Sequence, residues 1–207
     1  MSAFLGKIHF WLYNKIVLHE NLIDSIAEAA TAKGHSCESL LAESYEKYGN
    51  PVTGPLEDHI NHSNIHGWLQ ERIFSVEKRL AFVVTELLNN DAVTVEEISA
   101  VFRKNGAEAA KEIGTGEHKA EDLYTLIFDH MIEGMPCDHV NEIVENTEDA
   151  FSWKTVRCLH KEHWDQADGD VSNFYNFRDN WIQGFLGGMG NAHGYVRVDG
   201  MNTIRKV

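Results

Sequence analysis

Pro55-Leu56-Glu57-Asp58-His59-Ile60-Asn61-His62-Ser63-Asn64-Ile65-His66 opens the segment on which the fold turns. Its continuation carries Leu69, Ile73, Val76, Leu80, Val83, Val84 and Leu87 at helical spacing. At about 100° per residue these fall within an arc of about 100°, the buried stripe of an amphipathic helix. The spacing predicts one long helix over 55–88, with Pro55 at its first turn. Carried backwards, the same wheel puts His59, His62 and His66 within about 60° of one another on that inward stripe. A buried imidazole must be hydrogen-bonded, neutral or metal-bound, because an unsatisfied polar group is costly to bury.

Upstream, a first helix is expected from about Ala3 to Lys33, ending at Gly34. Its inward stripe is Leu5, Ile8, Leu12, Ile16, Ile23 and Ile26, and His19 falls inside it. His9 and Glu20 lie on its shoulder, with Tyr13 slightly further round. A shorter helix follows near Cys37–Tyr48, and the Pro- and Gly-bearing run from Gly49 to Pro55 breaks the chain. Downstream, Thr94-Val95-Glu96-Glu97 has the pattern of a capping box and starts a fourth helix to about Asn105. Residues 106–117 read as loosely helical, with a loop at Gly114–Gly116. A fifth helix over 119–133 has the stripe Leu123, Leu126 and Ile127, and His130 lies in it.

Past Gly134 the pattern changes. Glu142–Thr147 and Phe151–Arg157 read as a β-hairpin, although Phe151–Trp164 also suits a helix. A last helix, capped by Asp170 or Ser172, runs through Phe174, Phe177, Trp181, Ile182 and Phe185. It stops at Gly187-Gly188-Met189-Gly190, and Gly194–Val198 looks like a short strand. The fold expected is mainly α, a multi-helix bundle with a small C-terminal hairpin or short-strand segment. It is read as a single domain over 1–207, with 1–133 the bundle and 134–207 a mixed segment packed on it.

Composition narrows the function. Forty-three per cent hydrophobic and 24% charged residues describe an ordinary globular chain. Eighteen basic against 32 acidic residues give a net charge of −14, which repels phosphate backbones and argues against a nucleic-acid partner. No apolar run is long enough for a bilayer, and Met1-Ser2-Ala3-Phe4-Leu5 lacks the features of a secretory signal. Three widely spaced cysteines, Cys37, Cys137 and Cys158, make no disulfide framework. The location expected is cytoplasmic, with no membrane partner.

The trio His59, His62 and His66 is the strongest constellation, since His62 and His66 stand one turn apart and both reach one ion. With His19 and His130 from other helices they form a candidate site for a divalent metal, zinc or iron. Glu20 and Glu133 are the candidate general bases for a small-molecule substrate at an open metal position, and Asp58 is a further carboxylate. A haem on one inward histidine is the less favoured variant. Cys158-Leu159-His160-Lys161-Glu162-His163 has zinc-like spacings that Cys137 would extend, but the preferred reading is Cys158 as a small buried hydrophobe with the histidines flanking Trp164 at a surface turn. His62–His66 is similar to the His-x-x-x-His pair of hemerythrin-like and DinB-like bundles, with His19 or His130 as a third ligand. No second such pair and no duplicated Glu-x-x-His accompanies it, so no family is assigned. The competing expectation is a non-catalytic ligand-binding or oligomerising helical protein, with a homodimer as its candidate assembly, whose histidines form a buried, pH-sensitive network.

Overall fold

The computed structural model describes residues 4–114, 116–190 and 192–207. The protein is mainly α, with a small antiparallel sheet in its C-terminal part. Among the described residues, no helix is long and apolar enough to cross a membrane. The chain divides into two compact units, each discontinuous in sequence. Unit 1 is the chain up to Val93 with His130–Pro136 and His160–Asp170; unit 2 is Thr94–Asp129, Cys137–Leu159 and Val171–Val207.

Unit 1 is built on α3 (Ile65–Asn89), against which α1 (Lys7–Ala32), α2 (Glu38–Tyr48) and the short α6 (Lys161–Asp165) pack. The stripe expected on α3 is buried in full, from Leu69 to Leu87. The helix itself is shorter than its apolar pattern suggested. Leu56–Asp58 is an isolated 3-10 turn, and the α-helix starts only at Ile65. Asn61 closes a turn by accepting from Ser63 N at 3.0 Å, and Asn64 caps the helix by accepting from Gly67 N at 3.2 Å. These short amide side chains satisfy backbone donors locally, so the chain leaves helical geometry where the hydrophobic wheel would have carried it on. The first helix, α1, begins at Lys7 and stops at Ala32 before Gly34, whose φ of 95° a side chain would resist. The expected start at Ala3 lies outside the described residues.

In unit 2, α4 (Val95–Ile113) has the capping box its sequence announced: Thr94 and Glu97 bond each other's backbone N–H groups. It continues eight residues past the end expected at Asn105, into the stretch read as loosely helical, and Gly106 serves there as a contact. Its partner is α7 (Val171–Gly188). A Cβ at Gly106 would collide with the Trp181 carbonyl oxygen, and one at Gly184 with the Arg103 carbonyl oxygen. At Gly188 a Cβ would sit 2.9 Å from Ala107 O. The two helices approach to backbone contact, so glycine is required on both sides. The loop expected at Gly114–Gly116 includes Thr115, which lies outside the described residues.

The sheet has the order β1-β2-β4-β3, antiparallel throughout. β1 (Asn141–Asn146) and β2 (Ala150–Thr155) are the expected hairpin. β3 (His193–Val198) and β4 (Met201–Lys206) form a second hairpin, whose last strand the sequence reading did not separate from the tail. It turns through Asp199 and Gly200, both at positive φ. Tyr124 of α5 (Ala120–His130) packs its ring 4.5 Å from Phe151 and 4.9 Å from Trp153, covering one face of β2. Phe151, Trp153, Phe174, Phe177, Trp181 and Phe185 are all buried in the core.

Gly184→Ala should destabilise unit 2 by about 1–3 kcal/mol, the usual cost of forcing atoms into a filled contact. The fall in thermal midpoint measures it, and an unchanged midpoint would contradict the helix crossing.

Candidate functional site

The polar centre of unit 1 lies among residues that the apolar stripes do not describe. Glu77 sits on α3 beside the buried stripe and is 6% exposed. His160 stands just before α6 and is 1% exposed; His163, within α6, is 6% exposed. His160 Nδ1 lies 2.7 Å from Glu77 Oε2, and its Nε2 lies 3.5 Å from Glu133 Oε1. His163 Nε2 is 4.0 Å from the same Glu77 oxygen, and its ring stands 5.2 Å from that of Phe74. His163 Nδ1 is buried with no hydrogen-bond partner among the described residues. His19, on α1, anchors its Nδ1 at 2.9 Å from Lys15 O and interacts electrostatically with Glu77.

The electrostatics follow from this arrangement. Burial alone would strip the proton from His160, but Glu77 and Glu133 outweigh it and raise its pKa to about 9. Burial alone would likewise raise Glu77, yet its contact with the His160 cation leaves the carboxyl below its ordinary value. His160 is therefore an imidazolium between two carboxylates. His19 goes the other way: desolvation lowers its pKa to about 4, against the opposing pull of the Lys15 carbonyl and Glu77. His163 is lowered by burial too, with Lys78 and His160 adding to the effect and Glu77 and Glu162 opposing it. One charged and two neutral imidazoles thus share one buried carboxylate.

The residues singled out from sequence are distributed differently from the expectation. His19 and Glu133 belong to this network. His59 and His62 lie before α3 and are exposed, and His59 Nε2 donates to Thr53 O at 2.7 Å. His66, in the first turn of α3, is exposed and meets His9 of α1, with Nε2 atoms 3.2 Å apart. Gly6 N donates to His9 Nδ1 at 2.9 Å, so the His9 proton is on Nε2 and points at the His66 lone pair. His130 is half-buried at the end of α5. Glu20 is committed to the Arg79 guanidinium in a buried pair, with its pKa raised by desolvation against the pull of Arg79. Asp58 is exposed.

The metal-binding expectation is corrected by this geometry. Among the described residues, no group of three or more His, Cys, Asp or Glu side chains could hold a zinc, iron or other metal ion. The five histidines His19, His59, His62, His66 and His130 do not converge, because the helix expected to carry three of them begins only at Ile65 and leaves His59 and His62 outside it. In the cluster that does form, both nitrogens of His160 face carboxylate oxygens, and an imidazolium has no lone pair to give a metal. The preferred reading of residues 158–163 is also corrected on both counts: Cys158, read as a small buried hydrophobe, is exposed, and His160 and His163, read as flanking Trp164 at a surface turn, are buried. Sequence reasoning passed over Glu77 altogether. Its signal was a carboxylate next to Val76 in an otherwise apolar helix face, a residue type that stays buried only when paired. No family model, curated protein or solved structure matches the chain.

Removing one partner of a buried ion pair strands the other charge, at a cost of about 3–5 kcal/mol. Glu77→Ala should lose stability on that scale in urea denaturation. A loss below about 1 kcal/mol would show that the carboxylate does not hold the network, since exposed pairs alone are worth so little.

Proposed function

We propose that the protein is a non-catalytic binding or oligomerising helical protein, whose unit 1 is held in one packed arrangement by a buried proton on His160. The observation that carries this reading is that both ring nitrogens of a fully buried histidine face carboxylates. A general base needs a lone pair and a general acid needs a proton aimed at substrate. His160 offers neither outward. It is placed to join three stretches of chain: α3 through Glu77, the segment after α5 through Glu133, and the entry to α6.

Such a lock responds to pH from both sides. The groups facing it are Glu77 and Lys78 of α3, Glu133, Lys15 and His19 of α1, and Glu162 and His163 of α6. An imidazole in the unfolded chain releases its proton near 6.5. His160, raised to about 9 in the fold, contributes stability that is complete below pH 6.5 and is lost as pH rises through 9. His19, lowered to about 4, is neutral in the fold while the unfolded chain takes up a proton. Its contribution is complete above pH 6.5 and is lost as pH falls toward 4. His9 and His163, both lowered, act in the same direction as His19.

Urea midpoints measured from pH 4 to 10 should therefore pass through a maximum near pH 6.5. The His19→Gln variant should flatten the acid limb and leave the alkaline one. A profile flat between pH 6.5 and 9 would refute the proton on His160. Nitrogen-detected NMR should find both His160 ring nitrogens protonated at pH 7. Protein isolated without added metal is expected to contain no stoichiometric zinc or iron, and a chelator should leave its midpoint unchanged; a bound ion in either assay overturns the reading.

A further inference from the structure

The sheet of unit 2 has two edge strands, β1 and β3, and they are built differently. β1 is blunted: its register slips between Ile143 and Glu145, and Glu142 and Glu145 put charge along it. Bulges and charges of this kind discourage further pairing. β3 has neither device. Its six residues pair with β4 without a slip, and none of them is a carboxylate or a proline. Val207 N donates to Ala192 O at 3.1 Å, so the even-numbered residues of β3 bond to β4 and the odd-numbered ones turn their N–H and C=O groups outward. Among the described residues, nothing bonds the backbone of Tyr195 or Arg197.

Side chains alternate across the same strand. Tyr195 and Arg197 face α7, where both bond Asp179. Val196 and Val198 face away and are 54% and 58% exposed. Gly194, on their face, has no side chain, and a depression of about 310 Å³ is lined by Gly194, Val196, Thr203 and Arg205. The charges of the β3–β4 hairpin are ordered too. Asp199, in the turn, is its only carboxylate, and Arg205 and Lys206 stand at its open end. None of these three is in an ion pair among the described residues. On the oligomerising reading above, the partner is a second copy of this chain: we propose that β3 pairs antiparallel with β3 of that copy, about a twofold axis at Val196. Tyr195 then exchanges backbone hydrogen bonds with the partner's Arg197, and Val196 meets the partner's Val196. Val198 covers the partner's Gly194, and Asp199 comes against the basic open end of the facing hairpin. An axis at Tyr195 also satisfies the backbone, but it carries Asp199 past His193, the first residue of β3.

Sedimentation of the whole chain at about 100 μM should find a dimer. Val196→Arg places two like charges on the axis and should weaken association by about a hundredfold or more. Its far-ultraviolet circular dichroism should be unchanged, because Val196 is exposed. Val144→Arg, on the blunted edge, should leave the dimer intact. Hydrogen exchange at the Tyr195 and Arg197 amides should be slow in the dimer and fast in the Val196→Arg monomer. A monomer at that concentration, which would leave the edge to a strand of another protein, overturns the proposal. So does a dimer that survives Val196→Arg, dissociates in Val144→Arg, or leaves those two amides open. The His160 lock is read separately: a monomer with the expected pH profile defeats the dimer alone, and a dimer with a flat profile defeats the lock alone.

Discussion

A protonated imidazole closed off from water is the constraint around which unit 1 is organised. A lone buried cation would be expelled or neutralised, and two carboxylates buried side by side would repel. Placed between Glu77 and Glu133, the His160 cation removes both difficulties at once, and each group is tolerable only because the others are present. The neighbours follow from the same accounting. His19 and His163 stay neutral beside an existing cation, so the cluster holds one imidazolium and not three. The second buried pair, Glu20 with Arg79, shows the same rule on the far simpler scale of one acid and one base.

Much of this fold was legible in the chain, and what escaped did so for identifiable reasons. The α3 stripe from Leu69 to Leu87 was read correctly because tertiary packing and helical periodicity agree there. Extending it back to His59 failed because a hydrophobic wheel has no sense of where a helix begins. The stop was written in the residues nonetheless: Asn61 and Asn64 are turn and cap residues, and each accepts a backbone N–H. The capping box at Thr94 was recognised; the Asn64 cap, two residues before His66, was not. β4 was missed in a similar way, since Asp199-Gly200 is the dipeptide of a tight hairpin turn and implied a strand on each side.

The candidate site was legible only in part. Periodicity located His19 because its neighbours on α1 are apolar, and Glu133 because it ended a helix near an inward histidine. His160 caps and His163 sits in a five-residue helix, too short to show any period, so their burial left no trace in the pattern. Their partner Glu77 was invisible for the opposite reason, one polar letter in a long helix. A pairing between residues 83 positions apart is a tertiary fact, and no local window contains both ends of it.

The crossing of α4 and α7 bears on how the sequence of unit 2 can drift. An obstructed side chain in an ordinary core can be accommodated by trimming its neighbour, so two substitutions together succeed where one fails. At Gly106 and Gly184 the obstruction is the carbonyl oxygen of Trp181 and of Arg103, an atom that every amino acid carries. No exchange at positions 181 or 103 takes it away. Compensation at this crossing is closed to point substitution, and only a shift of one helix along or away from the other would open it.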